Sequence, residues 1–369
     1  MPSGSPVPEP TATPFGGADL VYVAINPGGR VVPFDARTNT FGAPMIAPPI
    51  PRERMSQPNI DDFNVLANGS YCYVLWAATG NTRAGDRLVA YALDGSHVTH
   101  AYPPTAPGTA GFVFSGTASH AAHVWTVEAD GGDARLRVAS PDLATTLARG
   151  PIASEGVIAD LADPTGDDSY VFDGTGTGRI LRGTDSDYRY VGPALTGAFG
   201  LIDRVRGTNY PTLAIAPDGT ALYAADLRSV SVIDPHAMRR TASVPIGEPA
   251  HGIAVSRDNA RVYVLGERFD HKALATVEKS VTTIDTLSDR VVSRRVVFRN
   301  TDPVHKASPY TEGFAVTPDG SELLLASRDE IVVLDAETGA ERARVRTPQV
   351  SGTQRSAIVA LAVPTNAEP

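Results

Sequence analysis

The stretch Gly252-Ile-Ala-Val-Ser-Arg-Asp-Asn-Ala-Arg-Val-Tyr263 decides the fold, because the chain writes variants of it on either side. Upstream, Leu213-Ala-Ile-Ala-Pro-Asp-Gly219 leads to Tyr223 and then to Val232-Ile-Asp234. The central copy leads from Tyr263 to Thr283-Ile-Asp285, and Gly313-Phe-Ala-Val-Thr-Pro-Asp-Gly320 leads to Val333-Leu-Asp335. Each copy reads as a short apolar run, a turn pair, a second run of aromatic and branched residues, and a third run that ends in Asp. Alternating β-branched and aromatic side chains fit pleated strands, and Asp-Gly or Asp-Asn supplies the positive φ of a tight hairpin. Asp218, Asp258 and Asp319 are therefore turn formers. Self-similar units of short strands at a period of roughly 40 to 60 residues are the signature of a propeller blade or a comparable repeat.

Extending that pattern outward places first-strand starts near Asp62, Gly111, Gly156, Thr212, Gly252, Gly313 and Ser356. The last has no complete blade behind it. Ser356-Ala-Ile-Val-Ala-Leu-Ala-Val363 reads as a first strand, whereas Leu20-Val-Tyr-Val-Ala-Ile25 reads as a second strand followed by a third, Val31-Val-Pro-Phe-Asp35. The expectation is an all-β, seven-bladed β-propeller whose ring is closed by a blade shared between the N- and C-terminal strands, leaving no open sheet edge at the seam. Residues 1–18 form a flexible Pro/Ser/Thr-rich lead and residues 19–369 a single domain, since a ring of repeats absorbs this length as one unit.

Charged residues make up 20% of the chain and hydrophobic ones 42%, a globular balance, and no apolar run approaches the ~18 residues that span a bilayer. A formal charge of −9 with scattered basic residues argues against nucleic acid, and Arg290, Arg294, Arg295 and Arg299 read as a solvated strand edge. The single Cys72 excludes an intramolecular disulfide and a thiolate cluster, and it falls in an apolar strand where a thiol is inert. The lead has no hydrophobic core or cationic start of a signal peptide. Tracts of this kind tether exported domains, so an exported or periplasmic monomer is expected, with a disordered terminus on a cytoplasmic protein as the alternative.

The C-terminal repeats resemble the YVTN-type propellers, the seven-bladed group that includes lactonase-like and amine-dehydrogenase-like folds. The resemblance rests on Pro245-Ile-Gly-Glu-Pro-Ala-His-Gly-Ile-Ala-Val-Ser-Arg-Asp-Asn-Ala-Arg-Val-Tyr-Val264 and Glu312-Gly-Phe-Ala-Val-Thr-Pro-Asp-Gly320, and covers the N-terminal blades loosely. The Asn that ends the namesake motif is replaced by Ile25, Trp76, Val127, Asp173, Asp226, Gly266 and Ser327. The resemblance implies a fold that hosts many functions, not a chemistry.

Strand order sets which loops share a face. Hairpins from first to second and third to fourth strands lie on one side and are short, as in Asp335-Ala-Glu-Thr-Gly339. The opposite face, with the second-to-third hairpins and the crossings between blades, carries the extra length: residues 45–61, 194–211, 266–280 and 298–311. Long loops on a rigid scaffold are where function concentrates. Residues near each first-strand start would ring the channel mouth there: Asp61, Asp62, Thr109, Glu155, Asn209, Tyr210, His251, Glu312, Gln354 and Arg355. Glu155, His251 and Glu312 are the candidate catalytic groups. Asp62, Tyr210, Arg355, Trp76, Asp173, Asp226 and His271 are the candidate ligand contacts, His271 lying in a charged flap. Carboxylates from several blades would suit a divalent cation, or would raise one another's pKa toward the range of a general acid. The bland alternative is that these side chains line a hydrated channel. No nucleophile elbow, phosphate loop, dinucleotide fingerprint or zincin helix is present. Two functions follow: a site for a small molecule or protein partner on the loop-rich face, or a lactonase- or lyase-like enzyme in which Glu155 or Glu312 works with His251 while Arg355 holds an anionic group.

Overall fold

The computed structural model describes residues 20–26, 29–43, 59–65, 70–77, 87–93, 98–102, 117–118, 124–130, 133–151, 157–164, 169–173, 179–184, 189–190, 195–196, 201–203, 208–210, 212–225, 228–270, 275–299, 313–327, 329–348 and 357–363. β1 (Leu20–Asn26), β2 (Arg30–Asp35) and β3 (Thr40–Phe41) come first. They are followed by β4 (Asn59–Val65), β5 (Tyr71–Ala77), β6 (Arg87–Ala92) and β7 (Val98–Tyr102), then β8 (Thr117–Ala118), β9 (Val124–Asp130), β10 (Asp133–Ala139) and β11 (Thr146–Pro151). The middle of the chain forms β12 (Val157–Ala162), β13 (Ser169–Asp173), β14 (Arg179–Thr184), β15 (Arg189–Tyr190), β16 (Leu195–Thr196), β17 (Leu201–Asp203) and β18 (Thr208–Tyr210). Then come β19 (Thr212–Ile215), β20 (Leu222–Ala225), β21 (Ser229–Asp234) and β22 (Arg239–Pro245), and β23 (Ala250–Val255), β24 (Arg261–Asp270), β25 (Ala275–Asp285) and β26 (Arg290–Arg299). The last are β27 (Gly313–Val316), β28 (Glu322–Ser327), β29 (Glu330–Asp335), β30 (Glu341–Arg346) and β31 (Ala357–Ala362).

All pairings are antiparallel, and most strands follow chain order within four-stranded sheets such as β4-β5-β6-β7 and β23-β24-β25-β26. β16 adds to the edge of β14, and β17 and β18 make a separate hairpin within the expected long crossing at 194–211. The terminal sheet runs β3-β2-β1-β31, so the C-terminal strand pairs with the N-terminal one, Tyr22 opposite Ala362. First strands touch one another in succession, β31 to β4, β8, β12, β19, β23, β27 and back to β31. Gly252 and Gly313 permit that approach: a Cβ on Gly252 would lie 2.7 Å from Phe314 Cβ, and one on Gly313 would lie 2.9 Å from Leu361 Cγ.

The core lies between sheets. On β1, Val21, Val23 and Ile25 pack with Leu324, Ala326, Ile331 and Val333, while Tyr22 and Ala24 pack the other way on Ile60, Phe63, Cys72 and Val74. A strand buried on both faces must be apolar at successive positions, which explains Leu20-Val-Tyr-Val-Ala-Ile25. The same interleaving joins β20 and β24 through Tyr223, Val262 and Val264, and β24 and β28 through Tyr263, Leu265 and Leu325.

Turn chemistry repeats as the sequence predicts. Gly219, Asn259 and Gly320 have φ of 71°, 58° and 73°, and Ser256 and Thr317 donate to Asp258 and Asp319 at 2.6 Å. On the third-to-fourth hairpins, Asp35, Asp234, Asp285 and Asp335 each accept backbone N–H groups of the turn, and the residue four places on, Asn39, Met238, Asp289 or Gly339, takes positive φ. The outermost strands β7, β11, β22, β26 and β30 each carry a bulge near their start, which twists an exposed edge out of register for stray pairing.

One sheet departs from the rest. The 266–280 stretch, expected as a charged loop, continues the ladder: Gly266 to Asp270 pairs with Ser280 to Ala275, and β26 follows as far as Arg299. Residues 271–274, with His271, lie outside the described residues.

Candidate functional site

His251 is where this face acquires chemistry. β23 pairs Ala250 with Gly266 and Gly252 with Leu265, so His251 is the extra residue of a bulge. The same bulge falls at Asp61 in β4, Ile158 in β12 and Val359 in β31. Bulges re-aim a side chain and are over-represented beside active sites. Here they recur near the start of four of the first strands, β4, β12, β23 and β31, so the four residues occupy matching register places in those strands.

The His251 Nδ1 lies 3.6 Å from Glu267 Oε2, with the imidazole 23% exposed and the Glu267 side chain 1% exposed. Glu267 sits on the ribbon extension, and its own N–H donates to Pro249 O at 3.0 Å. Directly across the ladder from Glu267 is Lys279, also buried, so opposite charges are paired in register on the face toward β28. The 3.6 Å separation is an electrostatic contact between the imidazole and a buried carboxylate, longer than a hydrogen bond.

A second buried carboxylate braces the crossing that delivers His251. Glu248 is inserted where Gly266 has no side chain; a Cβ there would be 2.4 Å from Oε1 and 2.5 Å from Cδ. Arg294 grips it in bidentate fashion, Nε to Oε1 at 3.0 Å and Nη2 to Oε2 at 2.6 Å, and Ser280 donates its hydroxyl to Oε1. That carboxylate holds the Arg294 guanidinium above its ordinary pKa. Glu278 gathers the outer cations, 3.3 Å from Arg299, 3.4 Å from Arg268 and 3.7 Å from Arg294. On the opposite arc, the Asn26 amide closes two hydrogen bonds with the backbone of Ile60, at 2.8 and 2.9 Å, and so pins the start of β4 beside Asp61 and Asp62.

Of the sequence candidates, His251 stands in the cluster. Trp76 and Asp173 occupy the register place of Gly266, opposite Ile60 and Val157 and next to the bulges of β4 and β12. Asp62 follows the bulge in β4, and Tyr210 ends β18, whose backbone contacts β12. The β12 register puts Ile158, not Glu155, at the place equivalent to His251. Glu155, Asp226, His271, Glu312 and Arg355 lie outside the described residues. Among the described residues no group of three or more His, Cys, Asp or Glu side chains converges as a metal site, and no helix is long and apolar enough to cross a membrane. Sequence placed Glu267 and Lys279 in a charged flap and Arg294 on a solvated strand edge, and passed over Glu248, because nothing in a charged run marks which members turn inward. Gly266 between Leu265 and Glu267 was the available signal.

No family model matches the chain, and no curated protein matches it in sequence. Solved structures do. Hydrazine synthase of Kuenenia stuttgartiensis aligns with a TM-score of 0.61 at 14% identity, over 88% of this chain and 94% of that one. A functionally unknown protein from Desulfotomaculum acetoxidans aligns with a TM-score of 0.61 at 16% identity, over 92% and 98%. The β-propeller domain of Myceliophteria thermophila Cps50 (Swd1) aligns with a TM-score of 0.54 at 10% identity, over 78% and 87%. At these identities the likeness is one of fold, and the fold is that of a β-propeller.

Proposed function

We propose that the chain is a seven-bladed β-propeller, its last blade built jointly by β31 and β1 to β3, that binds a small molecule or a partner at the loop-rich crossing face around the channel mouth. The cycle of first-strand contacts supports the ring and its blade count. Kinship with YVTN-type propellers belongs to the same proposal and rests on the C-terminal repeats. The observation that carries the functional reading is His251, lifted by a bulge, partly exposed, and backed by the buried Glu267 at 3.6 Å. A buried carboxylate costs several kcal/mol unless it is partnered, so one placed against a partly exposed imidazole is a feature that packing alone does not require.

The same pair favours a second reading, a lactonase- or lyase-like enzyme with His251 as base and Glu267 as its orienting group. Glu155, Glu312 and Arg355 would then supply an acid and an anion clamp, and a divalent cation would assist if the carboxylates of several blades gather around it.

Thermal unfolding of wild type and His251→Ala against acetate, succinate, glucose, γ-butyrolactone and the chlorides of calcium, magnesium, manganese and zinc tests both. The binding reading expects a rise with at least one probe that disappears in the variant. The enzyme reading expects acid release from γ-butyrolactone by wild type alone. Identical profiles for the two proteins, with no turnover, would remove His251 from the function.

A further inference from the structure

A second surface lies away from the channel mouth, on the outermost strand of the same sheet. Five large hydrophobic side chains are exposed among the described residues, and four of them fall within residues 287–296: Leu287 at 96%, Val291 at 40%, Val292 at 54% and Val296 at 38%. They are interspersed with Arg290, Arg294, Arg295 and Arg299, all exposed. Arg294 and Arg299 are engaged by Glu248 and Glu278, whereas Arg290 and Arg295 have no carboxylate within salt-bridge distance among the described residues. Arg295 is nevertheless held in place, since its side-chain stem packs on Gly339 so closely that a Cβ there would be 2.9 Å from Arg295 Cδ. β26 is an edge strand of 10 residues, against 7 in β22 and 6 in β30.

We propose that β26 docks an extended acidic segment of a partner protein, whose carboxylates meet Arg290 and Arg295 and whose apolar side chains cover Val291, Val292 and Val296. Charge decides the occupant. In antiparallel self-pairing through Ser293–Val296, opposed residues share a face, so the two-fold axis falls on a residue; centred on Arg294 or on Arg295 it sets that arginine against its own copy, and a second copy meets like charge there. A segment carrying Glu or Asp opposite the arginines, with β-branched residues between them, turns that repulsion into attraction. The bulges at Val292 and Val297 restrict main-chain pairing to Ser293–Val296, so the side chains carry specificity. A strand on the flank of a blade also suits a linear partner better than a planar one such as a bilayer.

The probe is a fluorescein-labelled ten-residue peptide of alternating Glu and Val, with a Lys/Val peptide as control, read by anisotropy. Wild type is expected to bind the acidic peptide saturably and more weakly as salt rises, the Lys/Val peptide not at all, and Arg290→Glu/Arg295→Glu at least tenfold less tightly. Both positions are exposed, so the variant's unfolding midpoint should match wild type; if it does not, Arg290→Gln/Arg295→Gln replaces it. No saturable binding up to millimolar peptide overturns the proposal, as does equal binding by the variant. Adsorption to phosphatidylserine vesicles, or concentration-dependent dimerisation, that the variant abolishes in the absence of peptide binding would overturn it in favour of those occupants.

Discussion

Replacing Gly266 with Ala tests the bracing of the His251 crossing at one atom. The backbone of Gly266 is not in the left-handed region, so Ala is locally allowed, and in a strand it would gain about 0.5–1 kcal/mol over Gly if space permitted. Space does not permit: the new Cβ would sit 2.4 Å from Glu248 Oε1, 2.5 Å from Cδ and 2.6 Å from Cγ. Glu248 must leave its slot, forfeiting the bidentate grip of Arg294 and the Ser280 hydroxyl. Loss of charge-assisted bonds at a buried carboxylate costs about 1.5–3 kcal/mol, and forced displacement adds about 1–3 kcal/mol, so Gly266→Ala should cost about 3–4 kcal/mol. Glu248→Ala alone should cost about 2 kcal/mol, since Arg294 is half exposed and keeps Glu278. With the carboxylate gone, the methyl introduced by Gly266→Ala has room. The double variant should then be no less stable than Glu248→Ala, leaving a coupling energy of about 3 kcal/mol in a urea-denaturation cycle. Costs that simply add, to about 5 kcal/mol or more, would refute the slot.

Three further outcomes follow from the geometry. Asp335 is drawn down to about 2 by the Thr338 hydroxyl and N–H and by Arg342, and Asp285 is lowered by Ser288. With folded values below the unfolded ~3.9, the unfolded chain binds more protons in between, so stability present above about pH 4 is lost toward pH 2. Urea midpoints measured across that window should fall less steeply in Asp335→Asn than in wild type, and parallel curves would refute the assignment. Cys72 is wholly buried and burial pushes its thiol up, so Ellman's reagent should label it only after unfolding; labelling of the native protein would contradict the packing of β5 against β1. Gly320→Ala, at φ +73° with nothing within 4 Å of the added methyl, should cost about 1 kcal/mol from backbone strain alone, whereas Gly252→Ala, 2.7 Å from Phe314 Cβ, should cost about 1–3 kcal/mol, and Phe314→Ala, which keeps that Cβ, should not restore it.

The strand skeleton was legible wherever local chemistry and periodicity agreed. Tyr223, Tyr263 and Leu324 fall on second strands, and Asp218-Gly219 and Asp258-Asn259 make the hairpins they encode. The pairing of Leu20–Asn26 with Ala357–Ala362 could be read because each half carried strands that its own end of the chain left without a partner. The ribbon at 266–280 was not legible, because Glu267, Arg268, Glu278 and Lys279 look like a solvated loop. Only the ladder shows that Glu267 and Lys279 turn inward as a cross-strand pair while Arg268 turns out. In β12 the start of the strand was placed well, but the bulge residue was not, since a bulge is set by the partner strand and leaves no mark in Val157-Ile-Ala159. His251 stood out as a lone polar residue in an apolar repeat; its partner Glu267, one ladder rung along on the next strand, required register.

The most direct test of a binding site at this face is the carbon–proton NMR spectrum of protein labelled at its 8 histidines, with the His251 signal assigned by its loss in His251→Ala. At least one probe from the thermal panel is expected to shift the His251 Cε1 resonance saturably and to leave the other histidines in place. A Glu267→Gln variant should show a displaced His251 resonance and a weaker response. A His251 signal that stays still while the probe binds elsewhere, or that ignores the change at Glu267, would contradict the claim that this pair forms the centre of the site.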